Sequence, residues 1–123
     1  NLTEEDMEPR LKLDAEIRLN DINSRFMRFL ELLGPYGSGN MRPKFAARNL
    51  KVAGNPRIVG NGNHICFRVK QERTSFPAIG FNLSEHYEDL INASSVDLAF
   101  VVEVNEWRGK STIQLNVRDI KQV

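Results

Sequence analysis

Two kinds of hydrophobic periodicity divide the chain near residue 34. Upstream, a period of two predicts a strand over residues 11–19 with one buried face. A helical spacing follows, with an N-cap at Asn20 or Asp21 and a stop at Gly34 and Pro35. The apolar stripe of this predicted helix consists of Ile22, Phe26, Phe29, Leu30 and Leu33. Because packing is what mainly stabilises helices of this length, we expect the stripe to face the core.

Downstream, alternating apolar residues predict five strands almost to the end of the chain. They cover residues 44–59, 64–70, 76–81, 96–104 and 111–120. In the second strand, the side chains expected on the buried face are Ile65, Phe67 and Val69. In the fourth, they are Leu98, Phe100, Val102 and Val104.

Glycine, proline and asparagine predict the breaks between these strands. Residues 53–56 (Ala-Gly-Asn-Pro) predict a bulge or a turn within the first strand, and residues 60–63 (Gly-Asn-Gly-Asn) predict a hairpin turn. Further turns are expected at residues 72–75 and 105–110. Between the third and fourth strands, residues 83–91 predict a helix with Ser84 as its N-cap. Its inward side chains are expected to be Leu83, Tyr87, Leu90 and Ile91.

The order of these elements indicates a mainly β fold. Three strands, a helix and a terminal hairpin are the plan of the five-stranded oligonucleotide/oligosaccharide-binding (OB) Greek-key barrel, here with an N-terminal strand and helix extension. We therefore expect residues 11–123 to form an OB-type nucleic-acid-binding domain whose extension covers residues 11–34. Residues 1–10 are expected to be a linker or a short helix from a preceding domain.

Composition sets the broad class. A length of 123 residues, with 41% hydrophobic and 27% charged residues, is typical of one soluble globular domain. No apolar run approaches the roughly 18 residues that span a bilayer, and no signal peptide is visible. The single cysteine, Cys66, excludes an intrachain disulfide and fits a reducing compartment. We expect a cytoplasmic, membrane-free location, and we interpret the initial Asn1 as the start of a piece cut from a longer chain.

Charge is unevenly distributed along the chain. The net charge is +1, but residues 1–34 carry −3 and residues 35–123 carry +4. The β-rich part is therefore the basic part, which favours an anionic partner. A solvated surface of mixed charge accounts for the same numbers equally well.

Candidate catalytic residues are few. His64 and His86 fall on different predicted elements, and apart from His86-x-Glu88 on a predicted helix neither has a Cys, His, Asp or Glu at a spacing typical of metal ligands. The sequence contains no nucleophile elbow, no Cys/His pairing and no cluster of carboxylates. We therefore predict no catalytic residue and no metal site in this chain.

Nucleic-acid binding has more support. Proteins that bind single strands use cations along the phosphates and aromatic faces for the bases. In an OB barrel the ligand crosses the second and third strands, between the loops that here are residues 60–63 and 105–110. The candidate contacts near this path are Arg48, Lys51, Arg57, His64, Arg68, Lys70, Trp107, Arg108 and Lys110. The Trp107 indole either stacks on bases or folds back on its own strands, and Phe76 is expected in the core.

Two segments of the chain resemble one enzyme family. The first reads Leu32-Leu33-Gly34-Pro35-Tyr36-Gly37-Ser38-Gly39-Asn40-Met41-Arg42-Pro43-Lys44-Phe45 and resembles "E-P-F-G-x-G-N-x-x-P-x-F". The second contains Val96-Asp97-Leu98-Ala99-Phe100, Asn105-Glu106-Trp107-Arg108-Gly109 and Gln114-Leu115-Asn116-Val117-Arg118-Asp119-Ile120, and resembles "D-x-A-(Y/F) … N-E-W-x-G … x-Q-L-x-(I/V)-x-D-I". Both motifs belong to the RecJ family of bacterial single-strand-specific exonucleases. The resemblance covers about residues 11–120, and its departures, at Tyr36 and at Met41 and Arg42, fall on loop residues.

The resemblance implies the OB domain of a 5′–3′ single-stranded-DNA exonuclease that acts in DNA repair and recombination. Members of this family carry manganese- or magnesium-binding motifs, including Asp-His-His, in a separate upstream domain, and those motifs are absent here. The resemblance thus implies a non-catalytic fragment that holds no cofactor. The implied partners are single-stranded DNA, the catalytic domains of the same chain and a repair protein. Tyr36, Asn40 and Arg42, in the loop before the barrel, are possible contacts to DNA or to the catalytic domains.

Two other interpretations stay open at this stage. In one, the barrel is a structural or docking module that clamps the catalytic domains or recruits a partner protein, with little affinity for DNA. The acidic N-terminal part and the small net charge favour it. In the other, the barrel is an RNA-binding domain of the type found in tRNA synthetases, which shares the fold but lacks the two family segments.

Overall fold

The structure is a computed structural model that describes residues 13–33 and 42–123. Predictions for residues 1–12 and 34–41, including the N-terminal linker and the Gly34-Pro35 helix stop, lie outside the described residues. The strands are β1 Ala15–Glu16, β2 Phe45–Val59, β3 His64–Gln71, β4 Thr74–Gly80, β5 Val96–Trp107 and β6 Lys110–Gln122. The helices are α1 Ser24–Leu33 and α2 Tyr87–Asn92, and 3₁₀ turns form at Leu19–Asp21 and Ser84–His86.

Five of the strands close into a barrel. Around the barrel the order is β2, β3, β4, β6 and β5, and β5 pairs with β2 to complete the circle. All of these pairs are antiparallel except β4 with β6, where Ala78 lies beside Leu115. The helix α2 lies between β4 and β5 in the chain. This arrangement confirms the predicted five-stranded OB barrel with a helix between its third and fourth strands.

The barrel interior is filled by the alternate side chains that the sequence predicted. On β3, Ile65, Phe67 and Val69 are buried, while the residues between them are half-buried or exposed. Leu98, Phe100 and Val102 of β5 belong to the same core, but the predicted fourth member, Val104, is half exposed. It is exposed because β5 and β6 continue as a two-stranded hairpin beyond the end of the barrel, where they no longer cover a core.

Two irregularities bend β2 so that it can pair with both β3 and β5. The register with β3 shifts between Ala53 and Arg57, which confirms the predicted bulge at residues 53–56. The register with β5 shifts between Ala47 and Leu50, where Asn49 takes a positive φ of 59°. The Asn49 N–H donates to Oδ1 of Asp97 over 3.0 Å, and Asp97 is the buried charged residue of β5. A bulge of this kind bends a strand strongly, as barrel closure requires.

The N-terminal strand prediction was largely wrong. Of its described part, residues 13–19, only Ala15 and Glu16 form a strand, paired in parallel with the start of β2, and Ala15 is exposed rather than inward. Leu19 is buried, but within a 3₁₀ turn. Side chains take the backbone donors that a longer strand would use: Oδ2 of Asp21 accepts from the Arg18 N–H, and Oε1 of Gln71 accepts from the Leu19 N–H. Local bonds of this kind compete with strand pairing.

Both helices differ in detail from their predictions. The first begins later than predicted, because Oδ1 of Asn23, rather than Asn20 or Asp21, caps the N–H of Phe26. Its predicted stripe is only partly inward, since Phe29 and Leu33 are exposed while Ile22 and Leu30 are buried. Ser84 starts a 3₁₀ turn and makes no side-chain cap, and Ile91 is exposed.

Candidate nucleic-acid interface

The outward face of β2, β3 and β4 carries the predicted cationic path. Strand register places Lys51 beside Lys70, and Arg57 beside Cys66. Arg68 lies between these two rows and is opposite Pro77 of β4. Because successive residues of a strand point to opposite faces and Ile65, Phe67 and Val69 point inward, these four cations share the outward face. The structure thus brings Lys51, Arg57, Arg68 and Lys70 together.

Carboxylates are absent from these three strands. Between Glu31 and Glu85 the sequence contains eight Lys or Arg residues and one acidic residue, Glu72. That residue sits in the turn after β3, and its carboxylate forms an ion pair with the guanidinium of Arg18. The shortage of acidic residues in this stretch is visible in the sequence. Comparing the charges on either side of residue 34 hides it, because residues 85–123 add seven acidic residues to the same half of the chain.

Two hydrogen bonds fix cations of this set, one to β4 and one to the segment before β5. Nε of Arg68 lies 3.3 Å from Oγ of Ser75 on β4, and Nζ of Lys51 donates to the Ser94 carbonyl over 2.9 Å. A shallow groove of about 440 Å³ runs over the bulge in β2 toward β6. The outward side chains that line it include Arg57, Cys66, Arg68, Pro77 and Gln114. Gln114 was not predicted, since its strand was not part of the expected path.

Arg48 lies at the edge of this face rather than on it. Its Nε is 3.8 Å from Oε1 of Glu16, and it lines a separate pocket of about 540 Å³ between β2, β3 and the N-terminal extension. Lys51 and Lys70 line the same pocket. The pocket therefore connects the cationic face to the N-terminal extension, and Glu16 offsets part of its positive charge.

The tip of the β5–β6 hairpin is more compact than predicted. Residues 105–107 belong to β5, and the turn consists only of Arg108 and Gly109, both with positive φ. This is the two-residue turn that suits the twist of a hairpin. The Trp107 side chain is 71% exposed, and the Arg108 guanidinium carbon lies 5.4 Å from its ring centroid. Trp107 therefore does not fold back on the barrel, and its indole and two cations, Arg108 and Lys110, are presented together.

His64 plays a different part from the neighbouring cations. Its Nδ1 accepts a hydrogen bond from the Asn82 N–H over 3.0 Å, and its ring lies against Gly60. The imidazole and the Phe81 ring lie in an edge-to-face arrangement, with 5.1 Å between ring centroids. The half-buried imidazole thus joins the hairpin turn after β2 to the turn after β4 at one end of the face. Sequence reasoning missed Phe81, which had been counted as the last residue of a strand.

The remaining predicted contacts lie elsewhere. Arg42 lies 3.7 Å from Oε2 of Glu103, on the β5 side of the barrel, away from β3 and β4. Tyr36 and Asn40 lie outside the described residues. Phe76 is half-buried and packs against the core, as predicted.

In residues 13–33 and 42–123, no group of three or more His, Cys, Asp or Glu side chains could hold a metal ion. His86 Nδ1 lies 3.3 Å from Oδ2 of Asp89, a pair confined to one side of a short helix. No helix in these two ranges has the length and apolar character to cross a membrane.

Comparison with known proteins identifies related sequences. The RecJ OB domain family matches residues 13–119. The single-stranded-DNA-specific exonuclease RecJ of Bacillus subtilis is 26% identical over 118 residues, which are 96% of this chain and 15% of that protein. The enzyme of the same name from Haemophilus influenzae is 27% identical over 124 residues, 99% of this chain and 21% of that protein. The chain thus spans about a fifth or less of the length of these curated relatives.

One solved structure shows the same architecture. The crystal structure of RecJ from Thermus thermophilus in complex with Mn²⁺ aligns with a TM-score of 0.65 at 24% identity. The alignment covers 92% of this chain and 16% of that one. At this identity the likeness demonstrates the fold, and the family match carries the assignment.

Proposed function

The chain belongs to the RecJ OB domain family, and on that premise we propose that it binds single-stranded DNA across the outward face of β2, β3 and β4. The observation that carries the proposal is the row of Lys51, Arg57, Arg68 and Lys70 on strands without a carboxylate. Phosphates supply the matching negative charge. The exposed Trp107 beside Arg108 adds an aromatic surface on which a base can stack.

We further propose that the parent protein is a cytoplasmic 5′–3′ single-stranded-DNA exonuclease used in repair and recombination. The support is that the curated relatives are named single-stranded-DNA-specific exonucleases and are about five to seven times longer than the matched region. In this proposal the barrel holds the strand, and the metal-dependent cleavage takes place in other domains of the same chain. A repair protein is a further proposed partner.

Metal chemistry does not fit the described residues of this chain. Thermus thermophilus RecJ structures were solved in complex with Mn²⁺ and with Mg²⁺, which supports a metal-dependent parent. Among residues 13–33 and 42–123, however, no cluster of three potential ligands occurs. We therefore assign no catalytic step to these residues.

The test is a charge-removal experiment on β3. Arg68→Ala combined with Lys70→Ala is expected to weaken binding of labelled oligo-dT about tenfold at low salt, a loss of about 1.4 kcal/mol, because two phosphate contacts disappear. Fluorescence anisotropy measures the affinity. The matched control is Arg25→Ala with Arg28→Ala, which removes the same charge from exposed positions on α1 and is expected to leave the affinity within about twofold. Equal losses in the two variants would contradict the assigned face.

A second candidate function, docking, has its own supporting observation. A groove of about 350 Å³ lies between α1 and the outward side of β5, with Met27, Leu30, Val101 and Val104 among its apolar residues. Beyond it, Leu32 and Leu33 are exposed. The side chains that rim the groove are Glu31, Arg42, Glu103 and Glu106. Three carboxylates disfavour DNA here, whereas an apolar floor with a polar rim is typical of protein interfaces.

The occupant that we propose for this groove is another domain of the same RecJ-type chain. The matched relatives are several times longer than the chain, so such a domain is part of the family's architecture. If docking is the sole role, the chain has no measurable affinity for oligo-dT even at low salt. Salt-sensitive binding that depends on Arg68 and Lys70 would show that docking is not the sole role. Docking would then be restricted to the groove between α1 and β5.

A further inference from the structure

Phe81 is an exposed aromatic residue at one end of the cationic face. It follows β4 directly, and its side chain is 50% exposed. Gly80 pairs with Ile65, so Phe81 lies next to the start of β3, at the end of the barrel opposite the Trp107 hairpin. Single exposed hydrophobic residues are common on proteins. What sets Phe81 apart is that its neighbours hold it in place.

His64 holds the Phe81 ring from one side. The ring planes are 74° apart with centroids at 5.1 Å, an edge-to-face contact that leaves part of the phenyl surface free. The imidazole is itself fixed by the Asn82 N–H and by its contact with Gly60. His64 therefore acts as a positioning residue for Phe81.

The backbone after Phe81 is also constrained. Asn82 has a φ of 60°, in the left-handed region that Asn adopts more readily than other residues with a side chain. The Ser84 N–H donates to the Asn63 carbonyl over 3.2 Å, which ties this turn to the hairpin between β2 and β3. The turn after β4 is therefore held by an Asn in its favoured turn conformation and by a hydrogen bond to the β2–β3 hairpin.

Arg118 lines the same surface depression as Phe81. Phe81, Leu83, Asn116, Val117 and Arg118 line a depression of about 290 Å³. Arg118 is exposed and forms no ion pair with any residue in the described part of the chain. The neighbouring carboxylate, Asp119, accepts a hydrogen bond from the Ile120 N–H. An exposed aromatic residue and an exposed guanidinium thus border one depression.

We propose that Phe81 and Arg118 form a nucleotide subsite, in which a base stacks on the Phe81 ring and its phosphate contacts Arg118. This inference rests on the proposed binding of single-stranded DNA and extends the path beyond Arg57 and Cys66, toward the residue 60–63 hairpin. The chemistry required is an aromatic face for the base and a cation for the phosphate, the two elements that single-strand binders combine.

The test separates base from backbone. Phe81→Leu keeps an apolar side chain but removes the ring, so affinity for oligo-dT is expected to fall about five- to 150-fold, the range that corresponds to losing one stacked base. Affinity for an oligonucleotide of the same length made of abasic sites is expected to stay within about twofold, since its phosphates are unchanged. Phe29→Leu on α1 is the matched control, because Phe29 is 56% exposed and distant from this face. It is expected to bind both oligonucleotides like the parent chain.

A second variant reports the stacking directly. Phe81→Trp, made together with Trp107→Phe, leaves one indole at position 81. Its fluorescence is expected to be quenched by saturating oligo-dT and not by the abasic oligonucleotide. Absence of quenching, or equal weakening of both oligonucleotides by Phe81→Leu, would overturn the subsite while leaving the Arg68 and Lys70 result intact. If the unmodified chain fails to bind oligo-dT at low salt, both the subsite and the proposed function fall.

Discussion

At the scale of single residues, the His64 ring leaves no room for a side chain at Gly60. A Cβ built on Gly60 would lie 2.8 Å from Cδ2 of His64, closer than carbon atoms approach one another, and the residue has a φ of +67°. Since the same imidazole supports Phe81, the packing of one glycine sets the position of an aromatic ring on the proposed DNA path.

Gly60→Ala is therefore expected to be more destabilising than Gly62→Ala. Both alanines lose about 1–2 kcal/mol to the left-handed backbone, but only the former meets the imidazole, because nothing lies within 4 Å of a Cβ at Gly62. Thermal unfolding measures the difference, and about 1 kcal/mol corresponds to roughly 4 °C in a domain of this size. Equal melting temperatures would show that the His64 ring moves aside without cost.

For two of the predicted contact residues, His64 and Trp107, the sequence pattern does not determine the side-chain contacts. Pattern alone placed His64 among the cations, because it alternates with Cys66 and Arg68 on the outward face. It could not show that a backbone N–H eighteen residues later occupies Nδ1. The sequence did not determine the orientation of Trp107 either. The same turn sequence is compatible with an exposed indole and with one that folds back on its strands.

At the scale of elements, the bend in β2 depends on one buried carboxylate. Asp97 of β5 accepts the Asn49 N–H at the point where β2 turns from β5 toward β3. Asn49 has a positive φ there, so its N–H points away from the regular ladder and needs a side-chain acceptor. The carboxylate thus stabilises a bulge that closes the barrel.

Asp97→Ala is expected to lower the free energy of unfolding by about 1.5–3 kcal/mol, the usual contribution of a hydrogen bond to a charged group. Asp97→Asn is the control, since it keeps a side-chain oxygen near the Asn49 N–H and is expected to lose less. Urea denaturation gives both values. A loss in Asp97→Ala no greater than in Asp97→Asn would contradict this role for the hydrogen bond.

Elements were predictable where a face is buried, and less so at their ends. Alternation identified the inward side of β3 because a one-residue slip would expose Ile65, Phe67 and Val69 together. It failed over much of residues 13–19, where side-chain acceptors from Asp21 and Gln71 replace strand partners far away in sequence. Alternation also predicted an end of β5 at residue 104, which is too early. The pairing of residues 105–107 with β6 depends on hairpin geometry and not on burial.

At the scale of the whole molecule, charge and apolar surface occupy different sides of the barrel. Cations line the outward face of β2, β3 and β4, while an apolar groove with three carboxylates lies between α1 and β5. The sequence predicted the cationic set but not this separation, because the helix stripe was expected to be wholly inward. This separation fits the two proposed contacts, a DNA strand on one side and a neighbouring domain on the other.

The salt dependence of oligo-dT binding by the 123-residue chain, measured by fluorescence anisotropy, tests the proposed DNA-binding face. About three to five neutralised phosphates predict a slope of roughly −2 to −3.5 in log affinity against log salt. Arg68→Ala with Lys70→Ala is expected to reduce the magnitude of the slope by about 1.4. Binding that is undetectable at low salt, or that has a slope near zero, would contradict a DNA-binding face and favour the docking role.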